Sequence, residues 1–408
     1  MRVGLRKFRA PRQAFGTLSV DIVEARSGPS NTRRAPSVRR FDRVAITCVF
    51  GEPRSPRSWS GAPDNLARAL ERLGVTVESI YPRLPGGDRL RVATRYLMEG
   101  YGWPADGEQV RRSGPSRRAH AARVARLATR LGVRHVLHTG AFDLPAADLG
   151  CGIKHYLYCD HTWALAARHR ADVQRLPTYA RTEYERLERE ALQGLEHVFT
   201  FGDYVRDDLI GHYGLTPDQV TTVGSGMGAI QPFEGPKDYA RPHLLFVAKH
   251  LFVPKGGALL LEAVAIARRA RPDLRLTVVG DERSHAFVPD DPNIVFRAHL
   301  PWHELEALYR EATLLTQPML NDPWGQVYLE ALASRTPVLG LRRNGLPEIV
   351  AGGRCGFLID DPEPRALAEA ILDALGDPDR LARMGRDGQR HVLASYGWDR
   401  VAARIAAP

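Results

Sequence analysis

The sequence predicts two doubly wound α/β domains in tandem, and three observations carry that expectation. From Arg43 onward, short β-rich apolar runs alternate with helical stretches. A Gly- and Pro-rich passage between Gly224 and Pro242, in GSGMGAIQPFEGPKDYARP, has little periodicity and reads as an interdomain linker. Behind it the α/β rhythm starts again.

In the first domain, strands are expected at Val44–Cys48, Val75–Ile80, His135–His138, His155–Cys159 and His197–Phe201. A helix is expected over Ala62–Leu73, and one long charged helix over about Ala171–Leu195. In the second, strands are expected at His243–Ala248, Leu274–Val279, Ile294–Arg297, Ala312–Thr316 and Thr336–Leu341, with helices at Gly257–Ala270 and Trp302–Ala312. The boundaries that follow are a leader at 1–40, a first domain at 41–228, a linker at 229–241, a second domain at 242–395 and a closing helix within 396–408.

Composition narrows the function. With 44% hydrophobic and 25% charged residues in a chain of 408, two domains with full cores are affordable and disorder throughout is excluded. Four scattered cysteines, Cys48, Cys151, Cys159 and Cys355, form no CxxC pair, so neither a zinc site nor a disulfide framework is expected and a reducing cytoplasm fits. The histidines show no ligand spacing, so no metal is expected.

The net charge of +10 invites a nucleic-acid or anionic-membrane partner. Residues 1–40, however, hold ten basic and two acidic side chains, which leaves +2 for all the rest. The leader has no apolar core of the signal-peptide kind, so a flexible tail is expected. Peripheral contact with an inner membrane face is one reading of the tail and a translated extension without function the other, and a binding protein driven by the tail is the rival reading from another class. No specific nucleic acid is expected.

The densest chemistry lies in Asn321–Gly340, NDPWGQVYLEALASRTPVLG. Two carboxylates, Asp322 and Glu330, flank a strand-to-helix junction at the carboxyl edge of a sheet, where open α/β folds bind ligands. The amides of Gly325, Gln326 and Val327 at the helix start offer partial positive charge to a phosphate. A helix cap at Asp322 and a solvated Glu330 are the plain alternative. After the strand at 243–248, Lys249 and Lys255 flank a loop that feeds the next helix, a second arrangement suited to a diphosphate. In the first domain, Asp160-His161-Thr162 follows a strand, and Gly61 precedes a helix in SWSGAP.

These residues resemble the family-4 glycosyltransferases of GT-B fold, whose C-terminal signature is an acidic residue, x, Phe, Gly, then Glu-Ala-x-Ala-x-Gly-x-Pro-Val. The matching positions are Asp322, Trp324, Gly325, Glu330, Ala331, Ala333, Arg335, Pro337 and Val338, with Asp322 in place of the usual Glu and Arg335 in place of the usual Gly. The resemblance implies two Rossmann-like domains facing a cleft and a last helix, Trp398–Ala407, that crosses back to the first. It implies a metal-independent retaining transferase that takes a nucleoside diphosphate sugar as substrate, with no cofactor, and passes the sugar to a hydroxyl on a lipid, polysaccharide or small molecule. Lys249 and Lys255 would grip the pyrophosphate, with Lys249 replacing the family's Arg. Asp322 would hold the transferring sugar, Glu330 the ribose, His161 would stand near the reacting sugar, and Gly61 would let donor or acceptor approach the backbone. The base would lie against Phe296–Leu300. A GT-B relative that hydrolyses or epimerises nucleotide-sugars is the second enzyme reading.

Overall fold

Short runs rich in Val, Leu, Ile and Phe, apolar on both faces, are what parallel strands covered by helices on each side require. Six of them form the first sheet: β1 (Arg43–Thr47), β2 (Thr76–Ile80), β3 (His135–Thr139), β4 (Lys154–Cys159), β5 (His197–Thr200) and β6 (Val220–Thr222). Six more form the second: β7 (His243–Lys249), β8 (Arg275–Gly280), β9 (Ile294–Ala298), β10 (Leu314–Thr316), β11 (Val338–Leu341) and β12 (Gly356–Ile359). Every pairing between these strands is parallel. This computed structural model describes residues 39–408 apart from 105, 106, 145–151, 229, 250 and 299. Of the expected leader, all but Arg39 and Arg40 lies outside the described residues.

The strand orders locate the sites. The first sheet runs β2-β1-β3-β4-β5-β6, so the chain reverses its direction of travel between β1 and β3. The second runs β12-β11-β10-β7-β8-β9 and reverses between β7 and β10. At such a reversal the neighbouring crossovers leave on opposite faces, and the crevice beyond the strand ends is open to a ligand.

The two sheets share one continuous core. Ile46, Leu66 and Phe199 of the first domain belong to the same buried cluster as Leu245, Leu329 and Ile405. Trp324 carries much of the join: its ring meets Phe201 edge-on at 5.7 Å and Tyr396 at 5.9 Å, and its Nε1 donates to Ser225 Oγ at 2.7 Å. Across the same join, both Glu348 carboxylate oxygens accept at 2.8 Å from the Asp203 and Tyr204 amides. Those are orphan donors at the start of the Asp203–Gly211 helix, so a carboxylate of the second domain caps a helix of the first.

The last helix, Trp398–Ala406, packs on the Ala62–Arg72 helix of the first domain. Arg72 pairs with Asp399 at 2.5 Å, and the Arg40 amide donates to the Ala406 carbonyl at 2.9 Å. Among the described residues no helix is long and apolar enough to cross a membrane.

One expectation fails in detail. The single helix expected over 171–195 is two pieces, Ala171–Gln174 and Thr178–Gln193, preceded by a separate helix, Trp163–His169. Pro177 stands before Thr178–Gln193 and cannot donate an amide into a continuing helix. The sequence reading also left unassigned the helices Gly86–Met98, Gly107–Arg112 and Gly114–Leu131 between β2 and β3.

Candidate active site

The loops after β7 and β10 leave the second sheet at its reversal point and are tied to each other by backbone. The Met319 amide donates to the Lys255 carbonyl at 3.0 Å, and the Asn321 amide to that of Pro254 at 2.9 Å. Gly256 between them holds φ +89, and a Cβ there would lie 2.8 Å from Pro318 Cβ, so only glycine lets the loops close. The pairing sets Lys255 Nζ 3.5 Å from Asp322 Oδ2, with the lysine 6% exposed.

Lys249 ends β7 at a register shift and takes φ +53, a left-handed conformation unusual for a side-chain-bearing residue and typical of functional loops. Its Nζ reaches across the cleft to Ser60 Oγ at 3.4 Å. Ser60 lies in a run of three left-handed residues, Trp59 (φ +42), Ser60 (φ +57) and Gly61 (φ +81), just before the Ala62–Arg72 helix. Gly61 therefore shapes the loop, and the side chain that faces the lysine is its neighbour's. Burial holds the Lys249 amine below the usual lysine range, and the charge of Lys255 adds to the effect.

Glu330 lies behind this wall, 2% exposed, and its Oε2 accepts from the Tyr309 hydroxyl at 2.9 Å. Burial raises its pKa, while Lys249, Tyr309 and Lys255 pull it back in that order. Oε1 faces the backbone of Gly228, where an added Cβ would come within 2.3 Å. Gly228→Ala is therefore expected to displace the carboxylate and lower thermal stability and donor affinity together. A variant with unchanged melting temperature and unchanged nucleotide affinity would contradict that contact.

Gly325, φ +75, precedes the Gln326–Ala333 helix, and Gln326 Nε2 donates to the Gly226 carbonyl at 3.4 Å. The cleft in front has a volume of about 710 Å³ and is lined on one side by Lys249, Lys255, Asp322, Gly325, Gln326 and Val327. Trp59, Ser60 and Asp160 line the other side. Six of the residues expected to hold a donor thus share one cleft between the sheets. His161 does not join them: it lines a second pocket, of about 230 Å³, at the reversal point of the first sheet. The expected base-binding stretch, 296–300, is described apart from residue 299.

Sequence reasoning gave Asp160 little weight, yet it lines both the cleft and the pocket. Burial pushes its carboxyl up to about 7, and the charge of Asp322 adds to the push. Two carboxyls near each other in a poorly hydrated cleft ionise reluctantly together. Because the folded value lies above the unfolded one, the folded protein holds this proton between about pH 4 and about pH 7. The stability it contributes is complete below about pH 4 and is lost as pH rises through about 7. Urea unfolding at pH 5 and pH 8 should show a smaller loss of stability in Asp160→Asn than in the wild type; equal losses would place the titration elsewhere. No spacing rule pairs residues 160 and 322, so only the folded chain shows the pair. Elsewhere in the first sheet, His138 bonds Asp143 at 3.0 Å and His155 at 2.9 Å, a buried internal network away from the cleft lining.

Two α/β domains, each a parallel six-stranded sheet covered by helices, facing each other across a cleft form a GT-B architecture. Residues 64–227 match the family described as Glycosyltransferase Family 4, and residues 230–391 match Glycosyl transferases group 1. The two matches run through both sheets, and the chain belongs to the GT-B, family-4-like glycosyltransferases.

Among curated relatives, a D-inositol 3-phosphate glycosyltransferase of Corynebacterium glutamicum is 31% identical over 225 residues, covering 49% of this chain and 53% of that one. An α-maltose-1-phosphate synthase of Mycolicibacterium smegmatis is 32% identical over 254 residues, covering 53% of this chain and 63% of that one. The chain spans about half the length of the first curated relatives it matches. A sucrose-phosphate synthase structure from Thermosynechococcus elongatus shares the fold with a TM-score of 0.70 at 16% identity, covering 89% of this chain and 97% of that one.

Proposed function

We propose that this protein is a retaining glycosyltransferase that moves a sugar from a nucleoside diphosphate sugar, held by the second domain, to a hydroxyl acceptor held by the first, without a metal. The observation that carries the reading is the joining of Lys249, Lys255, Asp322 and the Gly325 helix start in one cleft at the second sheet's reversal point. The two ammonium groups and the amides of Gln326 and Val327 offset the diphosphate charge. Burial strengthens that electrostatic grip because little water screens it.

As the sugar C1–O bond to the diphosphate breaks, negative charge grows on the leaving oxygens next to the lysines. The acceptor oxygen bonds C1 on the same face, and its proton passes to an oxygen of the departing diphosphate. Asp322, 21% exposed at its side chain, holds the sugar hydroxyls and faces the positive charge developing at the ring. Glu330 fixes the two lysines by charge and offers Oε1, the oxygen not bonded to Tyr309, to the ribose. His161 and Asp160 stand where the acceptor enters. Buried free thiols at Cys48, Cys159 and Cys355 fit work in a reducing cytoplasm.

Thermal stabilisation by a panel of nucleotide-sugars tests the donor half, since binding adds stability that grows with ligand concentration relative to its dissociation constant. Anomeric analysis of the product tests retention, and donor incubated alone separates transfer from hydrolysis or epimerisation. At Asp322, the Glu variant should keep part of the activity while Asn loses about 100-fold or more in kcat, as for a group that meets charge in the transition state. A nearly silent Asp322→Asn would make the residue a structural cap.

A further inference from the structure

We propose that the first domain docks on an anionic lipid bilayer through the outer face of the helix Gly86–Met98 and the Trp103 loop that follows it. The inference goes beyond the transfer reaction and does not depend on it.

The helix turns its apolar residues to both sides. Val92 and Tyr96, four residues apart, are buried on the inner side. At 3.6 residues per turn the opposite side carries Leu90, Ala93 and Leu97, and all three are exposed. Leu90 is 70% exposed, Met98 at the helix end 80% and Trp103 88%. The chain leading to Trp103 is held in place: the Tyr101 ring stacks on Tyr96 at 4.8 Å, and the hydroxyl of the exposed Tyr179 donates to the Tyr101 carbonyl at 3.2 Å. Large apolar side chains gathered on one exposed face, with aromatic rings at its end, mark an interaction surface.

Charge selects the occupant. Arg89 and Arg91 stand one residue to either side of Leu90, and so about 100° round the helix on each flank of the apolar stripe. Arg91 pairs with Asp88 at 2.8 Å, whereas the exposed side chains of Arg89 and Arg95 hold no ion pair among the described residues. The helix packs on Gly114–Leu131, which is itself rich in arginine. Residues 83–134 contain twelve arginines and four carboxylates, a balance of +8. Residues 41–408 carry only +2 in all, so the remainder of the two domains shares −6 and the body is polarised toward this layer. Such a layer is drawn to a negative surface, and it repels both the basic leader and a second copy of itself. A bilayer satisfies both features at once, because the leucines and the indole enter the headgroup boundary while the guanidinium groups stay at the lipid phosphates. A nucleic acid would use the charge and leave Leu90, Leu97 and Trp103 in water.

Flotation of the full chain with vesicles of mixed phosphatidylglycerol and phosphatidylcholine, against phosphatidylcholine alone, tests the docking face. The anionic vesicles should bind about tenfold or more tightly at low salt, and the advantage should shrink as salt rises. Leu90→Ser with Leu97→Ser and Trp103→Ser should weaken that binding about tenfold or more, since each change removes apolar area that lipid would cover. Arg89→Gln with Arg95→Gln should weaken it about tenfold as well. All five side chains are exposed, so melting temperature and nucleoside diphosphate binding should stay at wild-type values. If the triple variant fails to fold, Leu90→Ser alone serves, with an expected loss of about threefold. Vesicle binding that survives either set of substitutions belongs to another surface, the leader included, and overturns the proposal. No preference for the anionic vesicles overturns it too, and binding to duplex DNA without binding to vesicles would make the layer a polyanion site instead.

Discussion

Lys255→Ala is expected to lower nucleoside diphosphate affinity by about 30- to 1000-fold, equivalent to about 2–4 kcal/mol, the cost of truncating one partner of a buried charge contact. The residue is 6% exposed and set by backbone bonds on both sides of its loop, so its ammonium is held in place before the ligand arrives. Removing it also leaves Asp322 without its partner at 3.5 Å, which adds repulsion toward a dianionic ligand. Lys255→Arg keeps the charge but forces a larger, planar group into a buried position, so partial recovery is expected. Calorimetric titration measures both variants. An affinity within about threefold of the wild type in Lys255→Ala would remove this lysine from the donor site.

Glu330→Ala should have the largest effect on stability. Its carboxylate is the anion that first offsets the burial of Lys249, and it accepts the buried Tyr309 hydroxyl. Deleting it strands buried positive charge and an unsatisfied donor, for which about 3–5 kcal/mol is typical. Glu330→Gln separates the two contributions, since the amide oxygen still accepts from Tyr309 while the charge is gone. Urea unfolding should therefore rank wild type above Gln and Gln above Ala, and donor affinity should fall in both variants. A Glu330→Ala protein as stable as the wild type would mean that the lysines do not depend on this carboxylate.

Much of this organisation was legible before folding was considered. β7 and β8 are apolar on both faces, so their sequences read as covered parallel strands. Lys249, Lys255, Asp322 and Gly325 were legible because each lies at the end of a strand or in the loop after one, and strand ends at a reversal point are where ligands sit. What could not be read were meetings across long sequence separations. Asp160 faces Asp322 only because two domains close on each other, and Ser60 meets Lys249 only through a left-handed loop with no periodic signature. The break at Pro177 was visible in the sequence, but the unbroken run of charge on either side masked it. The stacking of Arg112 on the Phe142 and Trp163 rings likewise has no signature in the sequence.

The central claim is that the cleft grips a diphosphate through Lys249, Lys255 and the start of the 326–333 helix. Calorimetric comparison of a nucleoside diphosphate with its bare nucleoside, repeated at low and high salt, tests it most directly. The pairs compared are UDP with uridine, GDP with guanosine and ADP with adenosine. The account predicts that the diphosphate binds about 100-fold or more tightly than the nucleoside and that the advantage shrinks as salt rises. Equal affinities for nucleoside and diphosphate across the UDP, GDP and ADP pairs, insensitive to salt, would contradict it.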